Sequence, residues 1–422
     1  MTMRYAVALY MSSVLGSGVL VLPGLTAQRA GPASILAWVL LSMASYPMAY
    51  TFASLSARRP ESGGVYAFAR ESFGPRVATS TGWLFVVWYV TGAPAVTVIA
   101  ASYLAFAFPL GRTVAYAVAG LIIIGAFVIN YRGIVVSGKV QLAVVVSIVV
   151  LLLTTVVASS RLVRLENFQP FAPNGWLPVG VAAALIFWSY LGYENVSNVA
   201  EEFKNPKQDF QRSIVLSVTL IGALYLSVAI ATIGTQAYKA GGSVAPFAAI
   251  LSNALGPYGA DGTAILAVFI IFGTVNAYTT GMSRVIYKAA REGGFPKALD
   301  KVHPRTGVPH RSLALLSGLS LISLVLFYFL NVDLETALLI PSGAAILVYV
   351  IGSASGIRML GKGGVKSVFP WISLGVSLVM LPFVGVLLVV SLAVAALGLV
   401  YNRRPVGGQE QVSNHLALSP EP

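Results

Sequence analysis

Apolar, nearly uncharged runs of about twenty residues alternate along this chain with short connections that hold almost all of its charge. A run of ~20 apolar residues is what a helix needs to cross a bilayer core of ~30 Å. Twelve such spans are predicted, over 5–28, 33–57, 77–108, 112–130, 136–158, 178–202, 212–236, 259–288, 311–330, 334–357, 367–381 and 383–401. Two connections read as structured. The run Arg58-Arg59-Pro60-Glu61-Ser62-Gly63-Gly64-Val65 leads into a short amphipathic helix, and Gly293 to His310 forms a basic loop. The expected class is therefore an all-α polytopic membrane protein.

Two spans carry an internal interruption. In the first, Gly16 and Gly18 flank Ser17, and each glycine costs a helix ~1 kcal/mol relative to Ala. Lipid offers no partner for a freed N–H or C=O, so an opened helix is tolerable only when buried in protein or lining a cavity. Its outer half would present N–H groups and a positive dipole end, which suits a carboxylate. The alternative is that these small residues serve close helix packing. In the sixth span Trp188-Ser189-Tyr190-Leu191-Gly192-Tyr193-Glu194 sits near the middle; five spans precede this break and five run from it to Ile357. The two halves enter the membrane from opposite sides. Interrupted helices at matching places in such halves point to an inverted-repeat transporter with its site at the midplane. Glu194 is the one acidic residue placed deep in a span. A carboxylate there is costly to ionise, and it is read either as a proton-coupling group or as a brace for the broken helix.

Composition agrees with this reading. The chain of 422 residues is 57% hydrophobic and 10% charged, with a mean hydropathy of +0.82. Its net charge of +13 could suggest nucleic acid, but the placement of the charges argues against that partner. With the N-terminus in the cytoplasm, 22 of the 27 Lys and Arg residues fall inside, and Arg29, Arg112, Arg161, Arg164 and Lys239 fall outside. Positive charge of this kind records topology and predicts two cytoplasmic termini. The first apolar run lacks the polar segment and cleavage site of a signal peptide. No cysteine is present, which removes disulfides and thiol chemistry. His303, His310 and His415 all lie in connections or the tail, so no metal is expected at depth.

The ordered set of motifs resembles the amino acid–polyamine–organocation superfamily. It comprises Gly16-Ser17-Gly18-Val19-Leu20-Val21-Leu22-Pro23-Gly24, Pro60-Glu61-Ser62-Gly63-Gly64, Gly192-Tyr193-Glu194-Asn195-Val196-Ser197-Asn198, Glu202-Phe203-Lys204-Asn205-Pro206 and Arg284-Val285-Ile286-Tyr287. Within it the chain looks like the bacterial efflux branch that handles methionine and branched-chain amino acids. The resemblance implies a LeuT-type fold of five plus five inverted spans with helices 1 and 6 broken and two outer helices. Residues 1–160 would form the first repeat, 161–358 the second, 359–402 the outer pair and 403–422 a cytoplasmic tail. It also implies roles for matched positions. The substrate carboxylate would meet N–H groups around Gly16, Ser17 and Gly18. Its ammonium would meet carbonyls near Ser13, Val14, Trp188 and Leu191. Trp188 would be an aromatic gate, with Trp88, Tyr89, Ala93 and Tyr278 around the side chain. The alternative reading of Trp88 and Tyr89 is that they are packing or lipid-facing aromatics. One departure matters: relatives often carry a lysine seven residues after a Gln in the fifth span, and here Ile148 follows Gln141 at that distance. A sodium site using Thr279 or Thr280 and a proton site at Glu194 both stay open.

The expected function is alternating-access transport of a neutral, apolar amino acid in the bacterial inner membrane, as an exporter or exchanger, with no cofactor beyond a coupling H+ or Na+. Coupled uptake of amino acids or polyamines is the rival within transport. A receptor that binds an amino acid without turnover is the rival from another class. An intramembrane enzyme would need a nucleophile–base pair, a carboxylate dyad or metal ligands at depth, and a channel would need a ring of pore charges.

Overall fold

Helices form where the apolar runs predict them. In the computed structural model, residues 14–58, 63–133, 138–194, 206–361 and 365–401, with Val7, Met11 and Gly363, are described. Among them every regular element is helical. In chain order the helices are α1 (Gly18–Ala30), α2 (Ser34–Arg58), α3 (Val65–Phe73), α4 (Pro75–Ala107), α5 (Arg112–Tyr131), α6 (Gly138–Ser159) and α7 (Leu177–Phe187). They continue with α8 (Pro206–Gly234), α9 (Pro246–Leu255), α10 (Pro257–Arg291), α11 (His310–Phe329), α12 (Leu334–Met359), α13 (Phe369–Met380) and α14 (Leu388–Tyr401). Nine helical runs among the described residues are long and apolar enough to cross a membrane. That number is smaller than the twelve expected spans because α1–α2 and α13–α14 each continue through a 3-10 turn, and because α7 is short.

The expected amphipathic helix after the second span is α3, whose Val65, Tyr66, Phe68 and Ala69 are buried. The ten-residue α9 falls in a connection where no element was expected. It starts on Pro246 and stops before Gly256, the pairing that favours a helix start and a helix end.

The core is organised around α4. Of the crossing runs, α4 has 83% of its apolar window buried, against 17% for the run Phe369–Tyr401. It packs on α10, α12 and α14. The last two helices thus face outward over most of their surface, yet α14 is fastened to α4 where the Ser80 hydroxyl donates to the Ala395 carbonyl at 2.8 Å. Behind the first helix, Trp38 of α2 and Tyr225 of α8 meet edge to face at 5.6 Å. Tyr190 completes this cluster at 5.3 Å from Tyr225.

Candidate functional site

Both expected interruptions are present. Val14 is helical, Leu15 and Gly16 have no helical geometry, Ser17 is a turn, and α1 starts at Gly18. Ser17 sits at the N-cap without using its hydroxyl as a cap. The first N–H groups of α1 have no partner within the helix, and they carry its positive dipole end. In the sixth span, α7 tightens into a 3-10 turn over Trp188–Tyr190, and Leu191 is extended. Gly192 follows at a φ of +122°, a backbone region that other residues rarely enter. The remainder of that span, from Asn195 to Asn205, lies outside the described residues, as do Pro60, Glu61, Ser62 and the tail from Asn402.

The breaks are held by two tyrosines and a carboxylate. The Tyr225 hydroxyl reaches the Val14 carbonyl at 3.2 Å and the Ser189 carbonyl at 3.0 Å, touching both broken helices from α8. Glu194 is buried. Its Oε2 accepts from the Gly192 N–H at 2.9 Å and from the Tyr349 hydroxyl of α12 at 2.5 Å. This carboxylate therefore braces the second break from its far side, and it does not line the cavity described next.

A cavity of roughly 590 Å³, counted with the open solvent at its mouth, is bounded by the two breaks, α4 and α10. Val14, Gly16, Ser17 and Gly18 supply one wall, and Trp188 and Leu191 another. Trp88, Tyr89 and Ala93 of α4 and Tyr278 of α10 complete the expected set. The structure thus gathers ten of the expected residues around one space. Ser13 lies outside the described residues. Trp88 and Tyr89 are 3% and 4% exposed, so neither faces lipid.

Thr279 and Thr280 stand apart from this set. The Thr279 hydroxyl pairs with Tyr89 Oη and donates to the Val275 carbonyl at 2.7 Å. Thr280 bonds Asn130 of α5 at 2.5 Å and the Asn276 carbonyl at 2.9 Å. Asn130 in turn donates to Asn276 Oδ1 at 2.8 Å. Both hydroxyls are engaged within the protein.

The residues overlooked are Gly92, Val96, Ser189, Thr274, Val275 and Met282. Helical spacing could have found most of them. Gly92 and Val96 follow Trp88 and Tyr89 on one face of α4, while Thr274, Val275 and Met282 lie three or four residues from Tyr278. None of the described residues lining the cavity is charged. Among the described residues no cluster of three His, Asp or Glu side chains could hold a metal ion.

A bundle of apolar helices around an uncharged cavity, with two helices opened beside it, defines a multi-pass membrane protein built to hold a small solute. The family follows from comparison: the chain belongs to the amino acid permease family, whose model matches residues 2–413. It is 31% identical to the uncharacterized amino acid permease YecA of Bacillus subtilis (strain 168), over 97% of this chain and 96% of that protein. It is 27% identical to the L-methionine/branched-chain amino acid exporter YjeH of Escherichia coli (strain K12), over 84% of each chain. The branched-chain amino acid permease BcaP of Bacillus subtilis (strain 168) is 31% identical over 71% of this chain and 68% of its own length. All three of these relatives are named as amino acid permeases or exporters.

Proposed function

We propose that this chain is a secondary active transporter of neutral, apolar amino acids (Leu, Ile, Val and Met) that works by alternating access. The carrying observation is the cavity: helix N–H groups at one end, aromatic and aliphatic walls around the rest, and no charged lining side chain. A carboxylate is favoured at the α1 N-terminus. The substrate's ammonium would fall to backbone carbonyls at the two breaks, and no lining side chain is charged to pair with a further charge on the substrate's side chain, which would be strongly disfavoured if buried and unpaired. The names of YjeH and BcaP support the same substrate class.

The proposal includes the five-plus-five repeat with twelve crossings, residues 1–160 and 161–358 forming the halves, 359–402 the outer pair and 403–422 a cytoplasmic tail. Both termini would be cytoplasmic in the bacterial inner membrane, on the charge asymmetry above. Trp188 would serve as the gate. The coupling ion would be a proton at Glu194 or a sodium ion at Thr279 or Thr280, whose hydroxyls donate within the protein and keep lone pairs for a cation. Export or exchange is the proposed direction, with gradients setting net flux.

The test is thermal unfolding of the purified protein against all twenty amino acids and common polyamines, at two pH values, with and without sodium. A ligand at 100 times its Kd stabilises by ~2.7 kcal/mol when it binds only the native state. Leu, Ile, Val or Met should raise the midpoint. A rise with arginine or polyamines alone would overturn the substrate class. Absence of counterflow in liposomes, despite binding, would make the protein a receptor.

A further inference from the structure

Ser189 is the polar group in the cavity that the preceding account leaves without work. It is 3% exposed, it lines the cavity, and its hydroxyl oxygen has no hydrogen-bond partner among the described residues. Buried hydroxyls are nearly always satisfied, so an orphan inside a cavity points to a partner that enters the cavity. Its location is specific. A Cβ added to Gly18 would come within 2.9 Å of the Ser189 Oγ, so the missing side chain of Gly18 leaves the hydroxyl directly beside the start of α1. The backbone of Ser189 is already fixed, since its carbonyl accepts from Tyr225 at 3.0 Å. Only the hydroxyl is free to turn.

We infer that the Ser189 hydroxyl is a further donor to the substrate carboxylate, across the gap from the N–H groups of the first break. Two features of the site decide between the two ends of an amino acid. The positive dipole end of α1 attracts an anion and repels an ammonium. A hydroxyl beside it has an O–H to give to an oxygen that the N–H groups leave incompletely satisfied, and hydrogen bonds to an ionised acceptor are about twice as strong as neutral ones. The sixth-span break thus contributes a side chain to the anion end of the site, and a carboxylate ties the two broken helices together from within the cavity. This inference rests on the amino-acid reading above.

The experiment compares L-leucine with L-leucinol, in which an alcohol replaces the carboxylate, for the full-length wild type and Ser189→Ala. Dissociation constants are read by calorimetry. Ser189→Ala should weaken leucine about tenfold, the loss expected for a hydrogen bond to a charged group, and leucinol less than about threefold. The unliganded melting midpoint should stay at the wild-type value, because the hydroxyl holds no partner among the described residues. Ser189→Thr, which keeps the donor, should retain more of the leucine affinity than Ser189→Ala. Unchanged leucine binding in Ser189→Ala overturns the inference, and so does an equal loss for both ligands. A wild type that binds neither ligand overturns the amino-acid reading and this inference with it, which separates the two failures.

Discussion

Glu194 sits where an apolar helix can least accommodate a carboxylate, and its partners show how it is held. It accepts from Gly192 N–H and from Tyr349, while Tyr349 Oη also lies 3.2 Å from the same N–H. Glu194→Ala would leave the Gly192 N–H with that longer contact alone. Losing a buried partner costs ~1–3 kcal/mol, and the Tyr349 hydroxyl loses its acceptor in the same substitution, which argues for the upper end. Glu194→Gln keeps an acceptor oxygen for both donors, so the fold should be retained while the titrating group is gone. The expected outcome is a flattened pH profile of leucine exchange in proteoliposomes across pH 5 to 8. An unchanged profile in Glu194→Gln would reduce Glu194 to a brace. The isolation of this acid in an apolar span was legible in the sequence. Its chief partner was not, because Tyr349 lies 155 residues further along, and nothing in the local pattern of α12 marks one tyrosine for that contact.

At the scale of elements, the proposed gate at Trp188 depends on how α4 approaches the second break. A Cβ on Gly18 would meet Trp188 Cδ1 at 2.8 Å, and a Cβ on Gly92 would meet Trp188 Cη2 at the same distance. These atoms lie at opposite ends of the indole, so the ring spans from the first break to α4 with a glycine at each end. Trp88 touches it edge-on, with centroids 6.4 Å apart. Gly92→Ala should therefore unseat the indole and slow exchange about tenfold or more. Trp188→Phe shortens the ring, so adding Gly92→Ala to it should cost little. Groups in direct contact couple by ~0.5–3 kcal/mol, and a double-mutant cycle on exchange rates reads that coupling. Strictly additive losses would remove Gly92 from the gate. The two opened helices were readable from Gly16, Gly18 and Gly192, since glycine inside an apolar span is locally anomalous. Gly92 lies alone in its apolar span, without the Gly-Ser-Gly cluster or the neighbouring acid that marks the two breaks, and its meaning comes only from the ring facing it. The short α9 was hidden for another reason: ten residues are too few to cross a bilayer, so the run reads as part of a connection, although Pro246 and Gly256 mark its ends.

Across the whole molecule, the unequal charge of the connections and the unequal lengths of the helices can be tested together. Lys239 and Arg305 are exposed residues on either side of α9 and α10. Of these two helices, α10 spans 35 residues and α9 only ten, and ten residues reach ~15 Å, half a hydrocarbon core. One crossing therefore separates the two positions, and the charge asymmetry assigns Lys239 to the outside. The chain contains no cysteine, so a single introduced thiol reports its own location without background. On intact cells a membrane-impermeant maleimide should label Lys239→Cys, and Arg305→Cys only after permeabilisation. Both residues lie outside the long apolar helices, so neither substitution removes a core contact. The reverse pattern would invert the chain and place the basic loop from Gly293 to His310 outside. Labelling of both positions from outside would mean that α9 and α10 cross as a pair. That result would displace every later span by one crossing and break the opposite orientation of the two halves on which a shared midplane site depends.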